Sequence, residues 1–419
     1  MALGGTSILI GCLALVDSQS ALNASLRGVA VWWEVLFPAL FPFFVLSELL
    51  LGFGIVHFAG TLLDPFMRPL FRLPGVGGFI VAMGFVSGYP IGARLTSRLM
   101  EQNLVSRDEG ERLVAMTTTS DPIFLIGAVC IGFFGSLQAA PVLAAAHYSG
   151  ALLIGAASRF GKSAAQATEH PATSASAPGV NRFRAAIVAM HRARLADGRP
   201  LGILLQQALQ SSLALMVIVG GLVVFFSATL ELLVKSGILS LFKDTVAQLL
   251  DLARLSPNLS SAFVDGTFEV TLGAKAAAAD TGIPLTDRVA AAAFVLSWAG
   301  LSVHAQVAGL MSGTTWRYGL FARARLIHGF LAMLLVYLLW PIFYPKAGSD
   351  PSAAFLPEWA AAKPAWASAF AEGAGLHSVW TVAAYLPLLF AAVLSSIVAL
   401  GALAIGVRRF LRGSGKTRA

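Results

Sequence analysis

Residues 74–103 read PGVGGFIVAMGFVSGYPIGARLTSRLMEQN. Two apolar pieces flank Ser87-Gly88-Tyr89-Pro90, each about half of the roughly 20 residues that a helix needs to cross a bilayer. Glycine frees the backbone and Pro90 suits the first turn of a new helix, so the stretch predicts a helix, a turn at depth and a returning helix. Such a re-entrant hairpin is tolerated in a membrane only inside protein or beside a watery cavity. Residues 256–284, SPNLSSAFVDGTFEVTLGAKAAAADTGIP, have the same form. Their break is expected near Asp265-Gly266-Thr267.

The rest of the chain sets the surroundings of these hairpins. Of 419 residues, 57% are hydrophobic and 12% charged, against roughly 25% charged in soluble domains. Lipid leaves backbone N–H and C=O groups without partners, so the spanning units must be helices. Apolar stretches at about 3–17, 29–56, 108–136, 140–160, 199–234, 286–312, 319–344 and 379–408 predict an all-α membrane protein of about eight transmembrane helices plus the two hairpins. Amphipathic basic stretches at 57–72 and 235–254 precede the hairpins and suit interface-lying helices. The net charge of +8 sits in loops and reports topology, not nucleic-acid binding. Arginines in 159–199, in 313–325 (Arg317, Arg323, Arg325) and in the tail mark the cytoplasmic side, which leaves 345–378 outside and both termini inside. The first helix lacks a basic n-region and an A-x-A-like site, so it reads as retained. Cys12 and Cys130 read as free thiols.

The order of parts repeats. An N-terminal helix (1–28) precedes a first unit (29–160, with its interrupted helix at 108–136). A cytoplasmic linker (161–198) joins it to a second unit (199–344, interrupted at 286–312), and 345–419 hold an external loop, a last helix and a basic tail. Phe85-Val86-Ser87-Gly88 parallels Phe263-Val264-Asp265-Gly266, and Gly92-Ala93-Arg94 parallels Gly273-Ala274-Lys275 with three extra residues in the second copy. Span 29–56 runs inward and 199–234 outward, so the units read as inverted-topology repeats, the arrangement that points to a secondary transporter's binding site.

Polar residues at the four breaks are the candidates for binding. They are Ser87, Gly88 and Tyr89; Thr118, Thr119, Ser120 and Asp121; Asp265, Gly266, Thr267 and Glu269; and Ser297, Ser302, His304 and Gln306. Helix N-termini at such breaks are ready anion sites. Asp121, Asp265 and Glu269 suit a coupling proton or Na⁺, although Asp121 before Pro122 also suits a helix cap. Arg94 and Lys275, at matching places, suit a carboxylate substrate or, alternatively, snorkelling to the interface. His304 suits either packing or proton handling. The sequence carries no metal-ligand cluster, P-loop or nucleophile motif, so neither an enzyme, a resident cofactor nor ATP hydrolysis is expected.

VLFPALFPFFVLSELLLGFGIVHF (35–58), MRPLFRLPGVGGFIVAMGFVSGYPIGARLT (67–96), TTTSDPIFLIGAV (117–129) and SWAGLSVHAQV (297–307) resemble the YlbJ-type sporulation integral membrane proteins, also called stage V sporulation protein V. That group lies within a wider set with a nucleoside-recognition gate domain. The resemblance covers nearly the whole chain. It implies a role in spore formation, moving dipicolinate across the outer forespore membrane, and kinship with concentrative nucleoside transporters. The expected partners are then a small anionic aromatic substrate, whose ring Tyr89, Phe268 and Trp298 would wall, and the bilayer, with oligomeric state open. The family pattern places Asn-Pro where this chain has Asp121-Pro122. A nucleoside carrier and a non-transporting scaffold of a sporulation complex are the alternatives.

Overall fold

A computed structural model describes residues 2–160 and 182–343, and every regular element among them is helical. The expected linker at 163–181, external loop at 345–378 and last span at 379–408 lie outside the described residues. Four described helices are long and apolar enough to cross a membrane, or six if two sharply bent pairs each make one span.

The first bent pair joins α1 (Ala2–Val16) to α2 (Ser18–Val31), whose run continues through a π-helical turn at Trp32–Leu36. The angle is 106°, and Asp17 caps the new helix by accepting from the Ser20 N–H. The second pair joins α3 (Phe37–Gly52) to α4 (Ile55–Phe71) at 81°, across Gly54 in the left-handed region. The stretch expected to lie on the membrane surface at 57–72 is therefore a separate helix, but its inner face is buried. Val56, Leu63, Met67 and Phe71 pack into one core with Phe79 and Ile80, and Asp64 accepts from the Gly75 N–H at 2.9 Å.

The first hairpin follows as α5 (Val76–Ser87) and α6 (Tyr89–Glu101), with all of α5 buried. Then come α7 (Arg107–Thr117), started by a Ser106/Glu109 capping box, a non-helical stretch at 118–121 and a π-helical segment at Ile123–Phe133. The unit closes with α8 (Ala140–Ser158).

The basic α9 (Arg182–Asp197) falls within the expected linker 161–198, and the second unit starts with the long α10 (Leu201–Lys235). The stretch expected at the interface, 235–254, forms the largely exposed α11 (Ser240–Leu252). The second hairpin is α12 (Ser260–Phe268) and α13 (Val270–Ala279). A Cβ on Gly273 would fall 2.3 Å from the Gly266 Cα, so these two backbones are in direct contact. This corrects the expected break: Asp265-Gly266-Thr267 is helical, and the chain breaks at Glu269. Counted from the observed breaks, Gly88 and Glu269, the parallel Gly-Ala-Arg/Lys triplets fall at the same distance, with no extra residues. The parallel drawn through Phe263–Gly266 is lost instead.

The interrupted helix of this unit is α14 (Leu285–Trp298) and α15 (Gly300–Met311), followed by α16 (Tyr318–Phe343). Hydrogen bonds along α16 give directions. Arg317 grips Glu111 near the start of α7, and Arg325 reaches Ala115 near its end. Tyr337 donates to Asp287 near the start of α14, and Arg325 reaches Ser297 near its end. Thus α7 runs along α16 and α14 runs against it, and both end at Arg325. One hydrophobic cluster, with Tyr89, Phe124, Val270, Phe294, Val303 and Phe321, draws on both hairpins and both interrupted helices.

Candidate functional site

The four interruptions meet. In the first unit, Gly88 adopts φ 83° and ψ −174°, a conformation reserved for glycine, and a Cβ there would lie 3.1 Å from Asp121 Oδ2. In the second unit, Gly300 adopts φ 70°, and a Cβ there would lie 3.2 Å from the Glu269 Cα. Each hairpin break therefore abuts the helix break of its own unit through one glycine and one acid. The roles are exchanged: the glycine is on the hairpin in the first unit and on the interrupted helix in the second.

The helix ends around this junction divide into two kinds. Asp121 accepts the Phe124 N–H at 2.9 Å and Glu269 accepts the Leu272 N–H at 2.8 Å, so each acid caps the segment it precedes. Both are buried, at 4% and 2% exposure. The N-termini of α6 and α15 carry no side-chain cap. These two helices lie side by side and parallel: Tyr89 Oη donates to the Leu296 carbonyl at one end, and Glu101 comes within 4 Å of the Gly313 position at the other. Beside each uncapped end sits a buried hydroxyl without a hydrogen-bond partner, Ser87 at α6 and Ser302 at α15.

The C-terminal ends of α7 and α14 are held by a residue placed on the cytoplasmic side by sequence. Arg325 is fully buried in α16. One nitrogen donates to the Ala115 carbonyl at 3.1 Å, and another to the Ser297 carbonyl and to His328 Nδ1. No carboxylate lies within ion-pair distance of it among the described residues. Two helix C-termini, each with a partial negative charge, answer the guanidinium instead.

Two histidines extend this frame. His328 Nε2 pairs with the His147 carbonyl at 2.8 Å. The Ser120 N–H donates to His147 Nε2 at 2.9 Å, and His147 Nδ1 meets Ser297 Oγ at 2.8 Å. A carbonyl only accepts and an N–H only donates, so His328 carries its proton on Nε2 and His147 on Nδ1. Tyr148 Oη donates to the Ser120 carbonyl at 3.0 Å. One connected network thus spans the breaks of both interrupted helices.

The other sequence candidates distribute around this junction. Thr118 Oγ1 bonds back to the Val114 carbonyl at 2.6 Å, and Thr119 Oγ1 reaches the Gly84 carbonyl of the hairpin at 3.3 Å. His304 sits between Tyr318 Oη (2.8 Å) and the Trp298 carbonyl (3.0 Å), its ring against Trp298, and Gln306 is buried on the same helix. Thr267 Oγ1 bonds to the Phe263 carbonyl, and its own carbonyl accepts from Trp298 Nε1.

Four candidates lie apart from this junction. Arg94 turns away, to pair with Glu48 at 2.9 Å and the Ser211 carbonyl at 3.2 Å, because α6 presents it to α3 and α10. Lys275, its counterpart, is exposed. Asp265 is half-buried on the side of α12 within reach of Glu231 and Lys243. Gly266 is a packing contact for Val295 and Gly273. Conversely, His147, Arg325 and His328 lie in the network at the junction and were not among the sequence candidates. The available signal was an Arg and a His three residues apart within an apolar helix, followed by Gly329 on the same side.

The profile of the Gate family, described as nucleoside recognition, matches residues 33–145, which carry the first hairpin and interrupted helix. The chain is 42% identical over 357 residues to the sporulation integral membrane protein YlbJ of Bacillus subtilis (strain 168), covering 81% of this chain and 86% of that one. An uncharacterized protein of Alkalihalophilus pseudofirmus is 33% identical over 112 residues, 26% of this chain and 24% of that one. No solved structure matches. The extent and identity of the first match place this chain in the YlbJ family of sporulation integral membrane proteins.

Proposed function

We propose that the chain is a carrier of spore formation, built of two inverted units, that moves dipicolinate, pyridine-2,6-dicarboxylate, across the outer forespore membrane. The observation that carries the reading is the pair of parallel, uncapped N-termini of α6 and α15, each with an orphaned buried hydroxyl. Free N–H groups and unpaired hydroxyls at depth suit a carboxylate oxygen, and two such ends suit a dicarboxylate. Tyr89 and Trp298 supply ring surfaces beside them. That α7 and α14 run to Arg325 from opposite directions supports the inverted arrangement. Asp121 and Glu269, buried without a cationic partner among the described residues, are the acids through which a proton or Na⁺ gradient would couple.

Uptake of labelled dipicolinate into proteoliposomes tests the reading, with and without imposed proton or Na⁺ gradients. Accumulation above empty vesicles is expected. Correctly inserted protein that accumulates none would overturn it. Competition by nucleosides at equal concentration would favour the nucleoside reading that the Gate match motivates.

A further inference from the structure

Away from the helix breaks, α3, α4, α6, α9 and α10 enclose an open cavity of about 1410 Å³. Four arginines line it, Arg98, Arg184, Arg192 and Arg199, against two acids, Glu48 and Asp197. The acids are already engaged. Asp197 takes Arg199 through contacts of 2.8 and 2.6 Å, and that guanidinium holds its carboxyl below the usual carboxylate range. Glu48 takes Arg94 of α6 at 2.9 Å. Arg98, Arg184 and Arg192 remain, all exposed and with no carboxylate in ion-pair distance among the described residues. Three like charges around one cavity raise its local potential and concentrate anions there.

We propose that this cavity is a binding site for a small, multiply charged anion, a dicarboxylate or a phosphate group, held by Arg98, Arg184 and Arg192. The phosphate source is either a free solute or the headgroup of an anionic lipid. The volume exceeds the roughly 300–1,000 Å³ usual for a small-molecule pocket, so it admits a hydrated ligand or a headgroup. Its inner wall is functional in position: Glu48 and Ser211 both line the cavity and both hold Arg94, which sits six residues beyond Gly88 on the same helix. An anion gathered here waits one helix away from the junction. That link rests on the carrier reading; the binding itself does not.

Two probes, pyridine-2,6-dicarboxylate and inorganic phosphate, are titrated calorimetrically into the full chain in phosphatidylcholine nanodiscs. The Arg98→Gln/Arg192→Gln variant is expected to bind at least one of them about tenfold more weakly, and Arg98→Lys/Arg192→Lys to recover most of the loss. Because the side chains are exposed, unchanged thermal unfolding confirms the fold of both variants. Equal binding by wild type and the Gln variant overturns the proposal. So does an absence of binding in wild type, unless phosphatidylglycerol added to the discs is retained in an arginine-dependent way, which assigns the site to a headgroup. Binding without uptake defeats the carrier reading and leaves the cavity standing. Uptake with binding unaltered by the Gln variant does the reverse.

Discussion

Arg325 donates to carbonyls at the ends of α7 and α14, so Arg325→Met leaves both without their partner. Each orphaned buried group costs about 1–3 kcal/mol, and two negative helix ends then face each other uncompensated. A lower unfolding temperature and loss of dipicolinate uptake are expected, with Arg325→Lys intermediate in both because a single ammonium nitrogen lacks the spread of the two guanidinium nitrogens that reach these carbonyls. Wild-type uptake by the Met variant would remove Arg325 from the working structure. Ser87→Ala and Ser302→Ala act in the opposite sense on stability. Their hydroxyls are buried and have no hydrogen-bond partner among the described residues, so deletion should leave the unfolding temperature unchanged or raise it, while the KM for uptake rises several-fold. A fall in stability with an unaltered KM would show that these hydroxyls serve packing.

Among elements, the first hairpin was legible because Gly88, Tyr89 and Pro90 announce a break and a restart in adjacent residues. The second was misplaced by the same logic. Asp265-Gly266-Thr267 looks like a turn, but Gly266 is there to let Gly273 approach, and the break at Glu269 carries neither glycine nor proline. A local signal cannot separate a glycine needed for conformation from one needed for proximity. Arg325 was misread for a related reason: beside Arg317 and Arg323 it looks like a loop charge, and only carbonyls some 28 and 210 positions away in the chain account for its burial. The two kinds of glycine predict different responses. Gly88→Ala forces a left-handed-side φ on an alanine at about 1–2 kcal/mol and crowds Asp121, so uptake should fall with the unfolding temperature. Gly273→Ala overpacks the second hairpin at about 1–3 kcal/mol, and Gly266→Ala should not rescue it. Denaturation of the variants in detergent checks both.

At the scale of the whole molecule, the loop charges predict sidedness. In a chain with Cys12→Ser and Cys130→Ala, Ser176→Cys should react with an impermeant maleimide only from the cytoplasmic face, and Ala360→Cys only from the opposite one. Labelling of both from one side would break the assignment of three crossings to the second unit. Asp121→Asn should abolish stimulation of uptake by the coupling gradient while leaving exchange measurable, because the cap survives as an amide and the charge does not; stimulation retained in full would place coupling elsewhere. The clamp on α7 carries a last consequence, about length. Arg317 holds this helix at Glu111 and Arg325 holds it at Ala115, and both grips come from one continuous segment of chain. A single residue inserted between Glu111 and Ala115 would turn one grip by about 100° relative to the other and move it by about 1.5 Å. Natural relatives should therefore carry no insertion or deletion between Glu111 and Ala115.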